Sequence, residues 1–178
     1  MATFITPETK AADYDLVELA RAGDRSAFGL LYDRYRRMVH GILLAHVRWA
    51  DAEDLMQDVF VLAMRQLSSL REASAFGGWL GAIARNLAID FQRRQRPLVE
   101  ATERNCGGIR QGPPAMVMQA VRSLPETYRE TLILRLIEGM TGPEIAARTG
   151  LTPDSVRVNL CRGMKLLRAQ LGGETHHV

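Results

Sequence analysis

Apolar side chains recur at helical spacing through the first part of the chain, from Asp15 to about Arg96. They follow the i, i+3, i+4 rule of amphipathic helices. The pattern is interrupted at "AGDRS", where Asp24 or Ser26 is suited to cap the following helix, and again near Asp51 and after "SSLREAS". The pattern therefore predicts four helices here and no strand.

Helical spacing is lost between positions 97 and 114, where "PLVEATERNCGGIRQGPP" collects glycine and proline. It resumes beyond that stretch and continues almost to the end of the chain. The sequence therefore predicts an all-α protein with two small helical domains, residues 15–96 and 115–172, joined by a flexible linker at 97–114.

The C-terminal run "GPEIAARTGLTPDSVRVNLCRGMKLLR" predicts a helix-turn-helix, with Gly150 ending the first helix and Thr152 or Asp154 capping the second. In this motif the second helix enters the major groove, with its N-terminal residues at base edges and cations on phosphates. The alternative is a solvated basic face on a helical bundle. The base-contact candidates are Ser155, Arg157, Val158 and Asn159, and the phosphate candidates are Arg162, Lys165 and Arg168.

Charge is sorted along the chain, although the net charge is only +3. "DAEDLMQD" holds acids and no base, "RNLAIDFQRRQR" is mainly basic, and the second helix of the helix-turn-helix is basic beyond its first turn. Such sorting indicates separate contacts with a basic partner surface and with a polyanion.

Residues for catalysis or metal binding are not arranged at usable spacing. Cys106 and Cys161 form no CxxC or Cys/His pattern, and His40 and His46 lie in an apolar run, where we expect core or solvent-facing side chains. No phosphate-binding glycine loop or nucleophile constellation occurs in the sequence. We expect no enzyme activity, no cofactor and no metal.

The first residues do not resemble a signal peptide, and no apolar run reaches the ~18 residues of a membrane span, so the expected location is the cytoplasm.

Three segments together carry a family resemblance. "DAEDLMQDVFVLAMRQL", "AFGGWLGAIARNLAIDFQRR" and the region from "LPETYRETLILRLIEGM" through the helix-turn-helix resemble, in order and separation, successive segments of bacterial sigma-70-type factors of the extracytoplasmic-function group. The resemblance spans about residues 15–171. It implies sigma domain two and sigma domain four without a third domain between them.

Several functional expectations come from this resemblance. Such proteins bind core RNA polymerase, direct it to promoters and catalyse nothing themselves. They are commonly stress-responsive and held by an anti-sigma factor, and we expect a monomer when the protein is free.

The resemblance also implies site residues. Asp54, Gln57 and Asp58 are the expected contacts with the clamp helices of the largest polymerase subunit. The alternative is that the acids near the start of this predicted helix only suit the helix dipole. Phe76 and Trp79 offer stacking surfaces for unstacked bases, and the helix-turn-helix residues read the minus-35 element. For Trp79 the alternative is a core position, because its helical spacing with Ile83, Leu87 and Phe91 favours a buried face. The expected minus-10 contacts are Arg85, Asn86, Arg93, Arg94 and Arg96.

The recognition helix departs from the family pattern where arginine and histidine are common, at Asn159, Cys161, Gly163 and Met164. Fewer cations predict weaker or re-specified minus-35 reading.

Two rival functions stay open. A sigma mimic would sequester an anti-sigma factor without reading DNA, although known mimics carry a receiver domain that this sequence lacks. An ordinary helix-turn-helix regulator would form a stable homodimer.

Overall fold

A computed structural model describes residues 7–99 and 115–173. Within these ranges the chain forms helices and no strand, and the all-α prediction is confirmed. Two single-turn 3-10 helices, Leu67–Ser69 and Ala73–Ala75, connect the third and fourth α-helices. The α-helices are α1 Pro7–Arg21, α2 Arg25–His46, α3 Trp49–Gln66, α4 Phe76–Val99, α5 Ala115–Arg122, α6 Glu126–Leu136, α7 Gly142–Thr149 and α8 Pro153–Gly173.

Domain two consists of α1 to α4, with α2 at its centre against the other three helices. The first half of α2 buries one stripe at helical spacing, which includes Ala27, Leu31 and Tyr35. Asp24 caps the helix: its carboxylate accepts hydrogen bonds from the backbone N–H of Ser26, at 2.8 Å, and of Ala27, at 3.1 Å. This cap satisfies donors that a helix start otherwise leaves without partners.

Domain four consists of α5 to α8. Thr141 and Glu144 form a reciprocal capping box at the start of α7, and Gly150 ends that helix with a φ of 77°, in the left-handed region that favours glycine. The Oγ1 of Thr152 accepts a hydrogen bond from the backbone N–H of Ser155 at 3.1 Å, so Thr152 caps α8. These caps fix the tight turn between α7 and α8.

The two domains pack against each other through α2 and α4 on one side and α6 and α7 on the other. Helix α4 continues through Pro97 to Val99, so the helix extends past the predicted start of the linker. The rest of that predicted linker, residues 100–114, lies outside the described residues. Within the described ranges, no helix combines the length and the apolar character needed to cross a lipid bilayer.

Candidate protein and nucleic-acid interfaces

Helix α3 presents an acidic stripe on the side away from the core. Its buried side, which includes Leu55 and Val59, packs into domain two, and the opposite side exposes Asp54, Gln57 and Asp58. Asp54 and Asp58 line a shallow groove between α3 and α4. The structure therefore brings all three predicted polymerase contacts to one accessible surface.

The same stripe continues into exposed apolar residues that the sequence analysis missed. Val61, which is 45% exposed, lies one turn after Asp58, and Met64, which is 52% exposed, lies two turns after Gln57. A contiguous surface of carboxylates followed by apolar side chains is suited to a protein partner, because interfaces combine a desolvated apolar part with polar contacts around it. The sequence did contain a signal for this surface, because Val61 and Met64 continue the i, i+3, i+4 spacing of Asp54 and Gln57. The sequence analysis did not extend the pattern that far.

The minus-10 candidates on α4 fall into different environments. Asn86 and Arg94 are exposed, and the largely exposed Arg93 lies 3.6 Å from the carboxylate of Asp90. Arg96 lies in α4, but its side chain is outside the part of the structure that is described. Arg85 differs from the others, because its guanidinium is half-buried and paired with domain four.

The stacking role expected for Phe76 is wrong for this structure. Its ring is 1% exposed and packs edge-on against Tyr35 with the ring centroids 5.1 Å apart, so neither face is available to a base. Trp79 is half-buried and packs against Phe76 at a centroid distance of 5.8 Å. The helical spacing of these rings reflects packing into the core.

The recognition helix α8 exposes most of the minus-35 candidates. One predicted contact is not presented: Asn159 is 8% exposed and shares a helix face with the buried Val156 and Gly163, so the structure does not support its expected base contact. This correction follows from helix geometry, since residues three and four apart share a face. The exposed candidates are Ser155, Arg157, Val158, Arg162, Lys165 and Arg168.

Gly163 is a packing position. A Cβ at Gly163 would lie 3.0 Å from Cδ1 of Leu132 and 3.1 Å from Cβ of Tyr128, both on α6. The absence of a side chain therefore permits close approach of α8 to α6. Of the other departures from the family pattern, Met164 is half-buried against the core and Cys161 is exposed.

A polar cluster joins the two domains around Glu130 of α6. Its carboxylate accepts hydrogen bonds from Nε of Arg85 at 2.7 and 3.0 Å, and lies 3.3 Å from Nε2 of His46. Burial alone would raise the pKa of Glu130, but the hydrogen bonds from His46 and Arg85 outweigh it and hold that pKa below its ordinary value. The ionised Glu130 therefore stabilises the domain contact at pH values above the ordinary carboxyl pKa. This contribution is lost as the pH falls through the lowered pKa of Glu130.

The cluster has the residue types of a metal site, since one ligand atom each from His46, Glu126 and Glu130 lie within 4.8 Å of one another. Arg85 already neutralises the carboxylate of Glu130, however, and a divalent cation would lie beside that guanidinium. The arrangement therefore fits an ion-pair network between domains better than a cation site.

Comparisons with known proteins divide the chain into two parts as well. The Sigma-70 region 2 model matches residues 31–97, and the Sigma-70 region 4 model matches residues 115–167. The chain is 31% identical over 175 residues to the ECF RNA polymerase sigma-E factor of Escherichia coli strain K12, covering 87% of this chain and 92% of that protein. The sigma-E factor of Haemophilus influenzae is 30% identical over 179 residues, covering 89% and 95% of the two chains.

Two solved structures are also similar. CnrH, in complex with the cytosolic domain of CnrY, superposes with a TM-score of 0.63 at 28% identity over 92% of this chain and 99% of that one. The sigma factor RpoE of Bartonella quintana, in complex with the anti-sigma factor NepR, shares the fold, with a TM-score of 0.51 at 22% identity over 84% and 96% of the chains. These matches confirm the family resemblance found in the sequence: the chain belongs to the extracytoplasmic-function group of sigma-70 RNA polymerase sigma factors.

Proposed function

We propose that the chain binds core RNA polymerase through the exposed stripe of α3 and directs it to promoters through α4 and α8. The carrying observation is that one chain presents an acidic and apolar surface on domain two and an exposed basic helix on domain four. Carboxylates complement a basic surface such as the proposed clamp helices, and cations complement DNA phosphates. Action on polymerase implies a cytoplasmic location.

The direct test is transcription by purified bacterial core polymerase on genomic DNA, with and without the chain, followed by mapping of transcript starts. We expect new starts that share upstream elements. A sigma mimic would give no such starts, and an ordinary helix-turn-helix regulator would sediment as a homodimer, whereas we expect a monomer.

An anti-sigma factor is the proposed regulatory partner. CnrH and the Bartonella RpoE were each solved with a bound partner, CnrY and the anti-sigma factor NepR.

The sigma-mimic alternative is supported by the four departures of the recognition helix from the family pattern. Gly163 packs against α6 and Asn159 is buried on the same face of α8, so two of the four departures reflect packing within domain four and do not indicate lost DNA reading.

The exposed cations of α8 should account for the salt dependence of minus-35 binding. Replacement of Arg162, Lys165 and Arg168 by alanine should make the slope of log K against log salt less negative by about 2.7, because each lost phosphate contact removes about 0.9. The measurement is fluorescence anisotropy of holoenzyme on promoter duplex over a salt series. An unchanged slope would mean that this helix does not contact the backbone.

Asn86 should affect the choice of minus-10 sequence. Its exposed amide has both a donor and an acceptor for a base edge, so Asn86→Ala should change discrimination among minus-10 variants by about tenfold. The measurement is transcription from a set of minus-10 variants. The control is Gln66→Ala, which removes another exposed amide of domain two, and equal behaviour of the two variants would remove Asn86 from the site.

A further inference from the structure

Helix α8 carries a single acid on its basic face. Asp154 lies in the first turn and is the only acidic residue of the helix, and the cations Arg157, Arg162, Lys165 and Arg168 follow it. All five side chains are exposed, and residues three and four apart share a helix face. DNA phosphates repel a carboxylate, so Asp154 lowers the affinity of this face for DNA of any sequence.

The usual roles of an acid at a helix start explain Asp154 only in part. The cap of α8 is provided by Thr152, whose Oγ1 accepts a hydrogen bond from the backbone N–H of Ser155 at 3.1 Å. The helix dipole favours an acid in the first turn, but this interaction does not require an arginine at position 157. An exposed ion pair between residues three apart also adds little to folding stability.

The carboxylate of Asp154 holds the guanidinium of Arg157. Nη2 of Arg157 donates a hydrogen bond to Oδ1 of Asp154 at 3.1 Å, and the two side chains are 78% and 86% exposed. A guanidinium has several N–H donors, so one bond to a carboxylate leaves others for the acceptors N7 and O6 of guanine. An arginine that is already oriented loses less rotamer freedom when it binds a base. The pair therefore presents Arg157 in a defined orientation on an accessible surface.

We infer that Asp154 is a positioning residue that sets base specificity through Arg157, and that the base is guanine. The carboxylate orients the guanidinium toward a base edge and neutralises it as a contact for phosphate. Discrimination between bases is thereby gained while affinity for DNA of any sequence is lost. This inference rests on the proposed minus-35 role of α8 and adds to it a residue that does not itself contact a base.

Base preference is tested with holoenzyme assembled from core polymerase and the full chain. Promoter duplexes randomised over the minus-35 element are selected by binding and sequenced. The parent should enrich guanine at a position where Arg157→Ala lowers the preference roughly tenfold, which is within the range for a bidentate arginine–guanine pair. Asp154→Ala should lower the same preference about fivefold and leave the other positions unchanged.

A double variant separates this indirect role from direct reading, because a carboxylate can itself accept a hydrogen bond from N4 of cytosine. Asp154→Ala combined with Arg157→Ala should select the same sequences as Arg157→Ala alone, since no guanidinium is left to position. A further change of preference in the double variant would show that Asp154 reads a base directly and would overturn the inference.

Affinity for DNA of random sequence is a second readout, and a purely structural role would move it in the opposite direction. The free chain is titrated at low salt onto a fluorescein-labelled duplex of random sequence. Asp154→Ala should bind about twofold more tightly than the parent, because one charge that repels phosphates is removed. A weakened helix start would instead reduce this affinity.

The matched control is Asp33→Ala, which removes an exposed carboxylate from α2 of domain two and should bind this duplex as the parent does. An equal gain in Asp33→Ala would indicate a general effect of net charge and overturn the inference. An affinity of Asp154→Ala equal to or below that of the parent would also overturn it.

The selection experiment distinguishes failure of this inference from failure of the proposed function. If parent holoenzyme enriches no element beyond those enriched by core polymerase alone, the proposed function is wrong and the inference falls with it. If the parent enriches an element and Asp154→Ala enriches it equally, only the inference is overturned. The same holds if Arg157→Ala loses no guanine preference.

Discussion

Charge reversal of Asp54 and Asp58 to arginine should lower the affinity for core RNA polymerase at least about 100-fold and abolish promoter-dependent transcription. Both carboxylates are exposed on α3, so the substitutions leave the packing of domain two unchanged. Like charges placed opposite one another across an interface cost several kcal/mol, and about 1.4 kcal/mol corresponds to tenfold in affinity. The measurement is binding of labelled chain to core polymerase.

The matched control changes the net charge by the same amount elsewhere on domain two. Asp15 and Asp33 are also exposed, and the double replacement of these two by arginine should retain core binding. Equal losses in the two double variants would indicate a general effect of net charge. Full activity of the Asp54 and Asp58 variant would exclude α3 as the polymerase-binding surface.

Gly163→Arg should strongly destabilise domain four, although it introduces a residue common in the family at this part of the helix. Gly163 is buried against α6, where even a Cβ meets Leu132 at 3.0 Å and Tyr128 at 3.1 Å. Overpacking together with burial of an unpaired charge should cost about 3 kcal/mol or more, a large part of the stability of a small domain. Urea unfolding followed by circular dichroism should show an early transition and loss of minus-35 binding.

Cys161→Arg is the control, because Cys161 also departs from the family pattern but is exposed. It should leave the unfolding transition unchanged and make the slope of log K for DNA binding against log salt more negative by about 0.9 if the added guanidinium reaches a phosphate. Parental stability of Gly163→Arg would contradict the close packing of α8 on α6.

Local features of the fold could be predicted from the sequence because their causes are local. Asp24 was one of two cap candidates for α2, and Gly150 was predicted to end α7 from its tolerance of the left-handed region. Thr152 was likewise one of two cap candidates for α8. The exposure of Asp54, Gln57 and Asp58 follows from the buried stripe of α3, since residues three and four apart share a helix face.

Other features depend on residues distant in the chain. The need for glycine at 163 depends on Tyr128 and Leu132 of α6, which lie about 30 residues earlier in the chain. The run "GILLAH" did carry a signal for the domain contact, because consecutive buried residues do not fit a helix with a single apolar stripe. The sequence analysis read that run only as a place for core or solvent-facing histidines.

The sequence alone determined the helical elements, the short lists of cap candidates for α2 and α8, the two-part organisation and the family resemblance, because hydrophobic period, capping chemistry and motif order are encoded by neighbouring residues. Only the tertiary structure decided which faces remain accessible. It paired Arg85 with Glu130 and placed Gly41 against Leu134, contacts that join residues more than 40 positions apart. Such contacts depend on how completed helices pack, and helical spacing defines the side of a helix that is buried without specifying what covers it.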